Sequence, residues 1–394
     1  IGDIMSEPPL FAQAKTEDGY DYHFAFDGLK TIFEGADYRV GNLETPIAGE
    51  ELGYTASLLS FNTPDAILAA LKDIGIDAVT TANNHTLDRG YQGLINTLDA
   101  IDKFGFAHTG SYRTPDEKDR ILYAKVGDTR IAIISYTYRT NGFKNPATSL
   151  TTENIRCVNY LLPYSATYRL PEMPQFYKDV QALVKEDTGV ALSWEGGVKL
   201  KRILGLPVAY GDDFFNANEL DENIAFVKAD IDEARKNADI VIFMPHCGGQ
   251  FNVKPGSLSN YIIHEVQKMN PDVIITAHSH TTQKAESKPM PTFFSVGNVS
   301  MSPNTSYAVL ETLPQYGLAV NLYVGEGKLH KVTCSIFKMH EPKGEKLRIV
   351  AVTDLYNELC GLEREQLVRE VKEVYERVSQ RTADAFEIKA EYEL

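Results

Sequence analysis

Two histidines one residue apart, His278 and His280, close the apolar run Val273-Ile274-Ile275-Thr276, entered through Pro271-Asp272. The run has the length and composition of a buried strand. Histidines at the carboxyl end of such a strand face the crevice where open α/β sheets place ligands. Neutral imidazole binds Zn, Mn or Fe well. Three other segments repeat a strand-like run followed by residues of metal-ligand type: Ile1-Gly2-Asp3, Asn83-Asn84-His85 and Pro245-His246. One His-x-His alone reads most simply as two loop histidines facing solvent. Four such strand ends point to a metal site.

The residue types divide the chemistry. The amide oxygen of Asn84 can bind a cation. His85 can protonate a leaving group, with Asp88 fixing its tautomer. Asp88 can equally cap the helix that follows. Gly41-Asn42-Leu43-Glu44 ends a further run, Ala36 to Val40, and Glu44 is the only carboxylate in that motif. Three histidines with Asp3 and Glu44 could hold one or two divalent ions, the acids supplying the negative charge that histidines lack. Cys247 is a candidate thiolate ligand, although adjacent residues rarely face one ion. His264 lies in a helical pattern, and His23, His108, His330 and His340 lack neighbouring ligands. These five read as surface or packing residues. No phosphate-binding loop, dinucleotide fingerprint or Gly-x-Ser-x-Gly elbow is present.

The elements that must position these groups alternate in the α/β manner. Asp65 to Ile74 is apolar at helical spacing and stops at Gly75. Ala78 to Thr81 is a short strand, and Leu94 to Phe104 an amphipathic helix. Ile121 to Val126 and Arg130 to Tyr136 flank Gly127-Asp128, a hairpin signal. From about 145 to 222 the rhythm breaks at Leu162-Pro163-Tyr164, Pro171-Glu172-Met173-Pro174 and Trp194-Glu195-Gly196-Gly197. This stretch reads as an insertion, with helical character only around Phe176 to Val184. The rhythm resumes with a helix over Asn223 to Asn237, a strand over Ile240 to Met244 and a helix over Leu258 to Met269. Three antiparallel strands are then expected, at Ala308 to Leu313, Gly317 to Val324 and Leu329 to Phe337. Leu362 to Ala383 is an amphipathic helix whose stripe runs through Leu367, Val368, Val371, Val374, Tyr375 and Val378.

The 394 residues are 43% hydrophobic and 24% charged, an ordinary globular balance. A net charge of -15 without a basic cluster argues against nucleic-acid binding and against a polybasic membrane anchor. A polyanionic substrate would need local positive or metal charge. Four scattered cysteines (Cys157, Cys247, Cys334, Cys360) make no C-x-x-C and settle no redox compartment. No run reaches the ~20 apolar residues of a membrane span. The chain opens at the tail of a strand, so an export signal or anchor is expected to have been removed upstream.

In this order the motifs resemble the CapA family of bacterial capsule and poly-γ-glutamate synthesis proteins, itself similar to the calcineurin-like metallophosphoesterases. The matching stretches are Gly2-Asp3-Ile4-Met5, Gly41-Asn42-Leu43-Glu44-Thr45-Pro46, Ala82-Asn83-Asn84-His85-Thr86-Leu87-Asp88-Arg89-Gly90, the segment Tyr136 to Gly142, Pro245-His246-Cys247-Gly248, His278-Ser279-His280 with Gln283, and Ser295-Val296-Gly297-Asn298. The resemblance implies a four-layer α-β-β-α sandwich of the metallophosphoesterase type over residues 1–313. The inserted segment and a C-terminal part of strands and helix, 314–394, are additions. It implies Asp3, Glu44, Asn84, His246, His278 and His280 as ligands of one or two Mn, Zn or Fe ions. His85 is then the catalytic acid, supported by Asp88. Asn42, Asn141, Gln250 and Asn298, from the same motifs, are the expected substrate contacts. Met5 stands where metallophosphoesterases carry the histidine of Asp-x-His, and Gly-Asn-Leu-Glu replaces their Gly-Asp-x-x-Asp. His246-Cys247-Gly248-Gly249-Gln250 replaces the His-Trp-Gly-x-Glu common in CapA-like proteins.

The function expected is a metal-dependent enzyme of the bacterial cell envelope, outside the cytoplasm, hydrolysing or transferring a phosphoester or amide bond. Its partners would be an anionic polymer or peptide substrate and membrane-bound capsule-synthesis subunits. Two alternatives stand beside it: a non-catalytic capsule-assembly or polymer-binding subunit, and a metal-dependent peptide epimerase.

Overall fold

The computed structural model describes residues 1–57, 60–117, 120–141, 155–162, 175–191, 194–204, 206, 208, 212 and 217–393. Two sheets stack face to face. The first is parallel, in the order β1 (Asp3–Ile4), β2 (Val40–Leu43), β5 (Ala78–Thr80), β6 (Ala107–Thr109). A hairpin of β3 (Thr55–Ser57) and β4 (Ser60–Asn62) stands apart from it. The second sheet runs β11 (Ala285–Glu286), β12 (Thr292–Phe293), β10 (Val273–Ile275), β9 (Ile240–His246), β8 (Thr129–Thr137), β7 (Leu122–Val126). Its centre is parallel and both its edges are antiparallel.

Helices cover the two outer faces. Helix Ala66–Asp73 buries Ile67, Leu68 and Leu71 with Val79 of the first sheet, and helix Gly90–Lys103 adds Leu94, Leu98 and Ile101. Each such side chain contributes roughly 1.5–3 kcal/mol by leaving water. The first of these helices ends at Gly75 (φ +87°), where the Ile76 N–H turns back to the Leu71 carbonyl at 3.0 Å. That left-handed position is one only glycine takes freely. On the far side, helices Ala217–Asn237 and Ser257–Lys268 pack Val227, Ile231, Ile262 and Val266 against Ala132, Ile134, Val241 and Phe243. Between the sheets, Ile1, Asn42 and Thr80 face Ser135, Met244 and Ile275 across a narrow space. The layers are therefore α-β-β-α, the arrangement that the family resemblance implies.

A third, antiparallel sheet follows: β13 (Tyr316–Gly325), β14 (Lys328–His340), β15 (Arg348–Ala351), with β16 (Tyr392–Glu393) beside β14. Helix Gly361–Ser379 lays Leu367, Val371, Val374 and Val378 in the cluster that holds Leu318, Ile336 and Ile242. Two expectations fail locally. Ala308 to Leu313 is no strand: Leu310–Thr312 forms a 3-10 turn that ends with Leu313 at φ +59°. Trp194-Glu195-Gly196-Gly197 is no break either, but the first turn of helix Trp194–Ile203. Pro163-Tyr164, Pro171 to Pro174 and Gly142 lie outside the described residues.

Candidate metal centre

The parallel strands deliver their polar residues to one edge. Register places Asp3 of β1 beside Asn42 of β2, and Asn42 beside Thr80 of β5. Glu44 follows β2, Asn84 and His85 follow β5, and His246 ends β9. His278 and His280 follow β10 with φ of +98° and +52°. Such backbone conformations persist only where the surroundings hold them. β1 is itself clamped: the Asp3 N–H donates to the Gly297 carbonyl at 3.2 Å, and its carbonyl accepts from Val299 N–H at 2.7 Å. A Cβ on Gly2 would lie 1.9 Å from the Gly297 carbonyl oxygen, so only glycine permits this approach.

Donor atoms converge on a small volume. His246 Nε2 lies 2.7 Å from Asn84 Oδ1, 3.0 Å from His278 Nδ1 and 3.2 Å from Glu44 Oε1. His278 Nδ1 is 3.1 Å from the same Asn84 oxygen. His280 Nε2 is 3.9 Å from Glu44 Oε1. Two sets, Asp3–Glu44–His246 and Glu44–His278–His280, each bring their ligand atoms within 4.8 Å of one another, and Glu44 belongs to both. Asp3, Glu44, Asn84, His246, His278 and His280 are thus gathered at one point.

The fit to a cation rests on Glu44. It is fully buried, and among the described residues neither of its oxygens accepts a hydrogen bond. A buried carboxylate so placed costs on the order of several kcal/mol unless a positive charge meets it. Two acids, three imidazoles and an amide oxygen form a donor set suited to Zn, Mn or Fe. Burial, then the Glu44 charge, raises the Asp3 pKa to about 6. Burial likewise raises that of Glu44. Burial lowers His246 to about 3 and takes His278 well below the ordinary histidine range. Neutral imidazoles are the form a metal binds.

His85 stands beside this cluster. Its Nδ1 lies 2.6 Å from Asp88 Oδ2, which also accepts from the Phe61 N–H at 2.7 Å. Burial acts to lower the His85 pKa, but the Asp88 charge and hydrogen bond, with Glu44 and Asp3, together raise it. Asp88 does not cap helix Gly90–Lys103, whose N-cap is Arg89. Asn141 Nδ2 lies 3.3 Å from His85 Nδ1, and the Asn141 N–H donates to the Asn84 carbonyl at 2.7 Å.

The other expected substrate contacts sit differently. Asn42 is buried; its Nδ2 donates to Asp3 Oδ1 at 2.7 Å and lies 3.2 Å from His246 Nδ1, while its Oδ1 accepts from Thr80 at 3.1 Å. Asn298 Oδ1 lies 2.8 Å from His280 Nδ1, and its Nδ2 donates to the carbonyls of His280 and Pro314. Neither amide is left to meet a substrate. Both instead hold side chains of the cluster, Asp3 and His246 by Asn42 and His280 by Asn298, as partners behind metal-binding groups do. Gln250 is half-buried in the turn after β9, and no hydrogen bond ties its side chain to the cluster among the described residues. Cys247 is buried in the apolar cluster beneath helices Ala217–Asn237 and Ser257–Lys268, away from the ligand set.

The sequence motifs give no role of their own to Thr80 or Asn83. Asn83 Nδ2 donates to the Leu43 carbonyl at 2.8 Å and its Oδ1 accepts from the His85 N–H at 3.1 Å. Its place in Asn-Asn-His was a usable signal; Thr80 offered none.

A histidine–carboxylate cluster at the edge of two stacked sheets defines an α/β sandwich with a centre of metal-ligand type. That class covers many chemistries. The chain belongs to the family of the bacterial capsule synthesis protein PGA_cap, which matches residues 1–302, within the metallophosphoesterase-like superfamily. The PGA biosynthesis protein CapA of Bacillus subtilis (strain 168) is 23% identical over 325 residues, 82% of this chain and 67% of that one. The capsule biosynthesis protein CapA of Bacillus anthracis is 21% identical over 351 residues, 86% of this chain and 70% of that one. A putative 5'-nucleotidase from Staphylococcus aureus superposes with a TM-score of 0.39 at 13% identity, over 95% of this chain and 57% of that one.

Proposed function

We propose that this chain is a metal-dependent enzyme of capsule or poly-γ-glutamate biosynthesis. It would hydrolyse or transfer a phosphoester or amide bond of an anionic polymer or peptide at the cell envelope, outside the cytoplasm. The family match and the names of its relatives support the capsule-related role. Membrane-bound capsule-synthesis subunits are the expected partners; among the described residues no helix of this chain is long and apolar enough to cross a membrane.

One observation carries the enzymatic reading: Glu44 is shared by two ligand triads, and a His85–Asp88 pair lies beside them. Asp3, Glu44, Asn84, His246, His278 and His280 would hold one or two divalent ions. When bound, such an ion polarises a carbonyl or phosphoryl oxygen and acidifies a water. The remaining steps fall to the chain. Asp88 fixes His85 through Nδ1, which leaves Nε2 to carry a proton to the leaving group. Asn141, half-buried beside His85, is the amide available to orient the substrate.

Metal analysis tests this directly. Wild-type protein incubated with Mn or Zn should retain metal, and His246→Ala should lose it. His85→Ala should keep the metal and lose turnover of γ-glutamyl oligomers or a simple phosphoester by about 10²–10⁴-fold. Equal metal loss in both variants removes His85 from its role. A wild-type chain that takes up no metal leaves a non-catalytic assembly subunit. Deuterium uptake into a peptide without cleavage makes the protein an epimerase.

A further inference from the structure

A residue from outside the family match reaches the loop beside the candidate metal centre. Arg377 lies in the last turn of helix Gly361–Ser379, well beyond residue 302. Its side chain is only 10% exposed and reaches back under the loop that follows the histidine pair. Nη1 donates to the Thr312 carbonyl at 2.6 Å and to Thr281 Oγ1 at 2.9 Å. It also lies 3.5 Å from the Thr282 carbonyl. Thr281 Oγ1 in turn donates to the Thr312 carbonyl at 2.6 Å. Glu373 holds the other end of the guanidinium, at 2.9 Å from Nη2.

Thr281 is adjacent to His280. The turn just before it carries two non-glycine residues in left-handed backbone, His278 and His280. A strained loop keeps its shape only when contacts on several sides over-determine it. Asn298 holds the His280 ring from one side. Asp3 holds the backbone from another, accepting from the His278 N–H at 3.0 Å. Arg377 supplies a further restraint: Nη1 bridges the Thr312 carbonyl and Thr281 Oγ1 while Glu373 holds Nη2, a fixed orientation that a flexible lysine ammonium would keep only in part.

We propose that Arg377 is a positioning residue of the metal centre: the C-terminal helix locks the His278–His280 loop into its ligand geometry. The proposal rests on the metal reading above and extends the centre to a part of the chain that the family match does not include.

The test is metal binding with Mn or Zn alone, read by competition with a chromophoric chelator, together with the visible absorption of the Co(II)-loaded protein. Arg377→Gln should weaken the metal by about 10–100-fold and alter the Co(II) bands. Arg377→Lys should fall between it and wild type, and it serves as the test variant should Arg377→Gln not fold. Val371→Ala is the control, since it opens a cavity in the same helix without touching the loop. It should lower the melting temperature and leave both metal readouts unchanged. Wild-type affinity and spectrum in the Arg377 variants, or an equal change in Val371→Ala, overturns the proposal while the metal reading stands. A wild-type chain that binds no metal overturns both.

Discussion

At the scale of single residues, the molecule buries acids that meet no lysine or arginine among the described residues. Asp3 and Glu44 are two, and both lie against the histidines of the candidate metal centre. Glu7 is a third. It is fully buried at the start of helix Pro8–Ala14 and accepts from the Thr305 hydroxyl at 2.7 Å, from the Ser302 N–H at 3.2 Å and from the Tyr307 hydroxyl. Burial outweighs these donors and the distant His280 charge, and raises its pKa from 4.5 to about 7. The folded state therefore holds a proton on Glu7 between those values, where the unfolded chain has released it. Its contribution to stability is complete below about pH 4.5 and is lost as the pH rises through about 7. The loss amounts to about 3 kcal/mol at most. Glu7→Gln keeps a neutral side chain at every pH, so its unfolding free energy should fall less than that of wild type between pH 5 and pH 8. Parallel urea titrations of the two proteins at both pH values check this, and identical slopes would dismiss the assignment.

At the scale of elements, much of the fold was legible and the reasons are local. Helix Ala66–Asp73 and helix Ser257–Lys268 carry apolar residues at helical spacing, and β9 is a continuous apolar run. Strand ends marked by His246 and His278 were readable because a buried strand must stop where polar residues begin. β6, Ala107-His108-Thr109, has no apolar run and left no strand signal to read. The opening of helix Trp194–Ile203 looked like a break because glycine disfavours helix, and the structure overrides that preference. The ligand set was legible at the strand ends. The orienting roles of Asn42 and Asn298 were not, because they depend on partners 204 and 18 residues away that no local pattern names. The inserted stretch shows the same limit at Asp212, which the sequence does not single out. Its carboxylate accepts from the N–H groups of Gly256 and Ser259 and from the Ser259 hydroxyl, at 2.5–2.8 Å. These donors open helix Ser257–Lys268, where a negative charge is favoured. Asp212→Ala should cost about 1–3 kcal/mol by orphaning buried donors. It should also speed limited proteolysis of the stretch 145–222, while leaving metal content intact. Unchanged cleavage would mean that Asp212 caps the helix without tethering the insertion.

At the scale of the whole molecule, charge and site pull in opposite directions. The chain carries a net charge of -15, and its candidate centre holds two of those acids, Asp3 and Glu44, buried among three histidines. An anionic polymer approaching such a surface is repelled at long range and attracted only where bound cations reverse the local field. Salt screens the first effect over about 10 Å at 0.1 M, and a buried, short-range contact is screened far less. Raising ionic strength from low to physiological values should therefore increase kcat/KM for a poly-γ-glutamate chain. The gain should appear in KM more than in kcat, because the chemistry takes place inside the screened distance. A neutral peptide or phosphoester of similar size should show no such gain. This dependence has the opposite sign to that of proteins that gather polyanions on basic stripes, where salt weakens binding. A kcat/KM that falls with salt would place a positive docking track on this acidic molecule and would remove the long-range repulsion from the account of how polymer reaches Glu44 and His85.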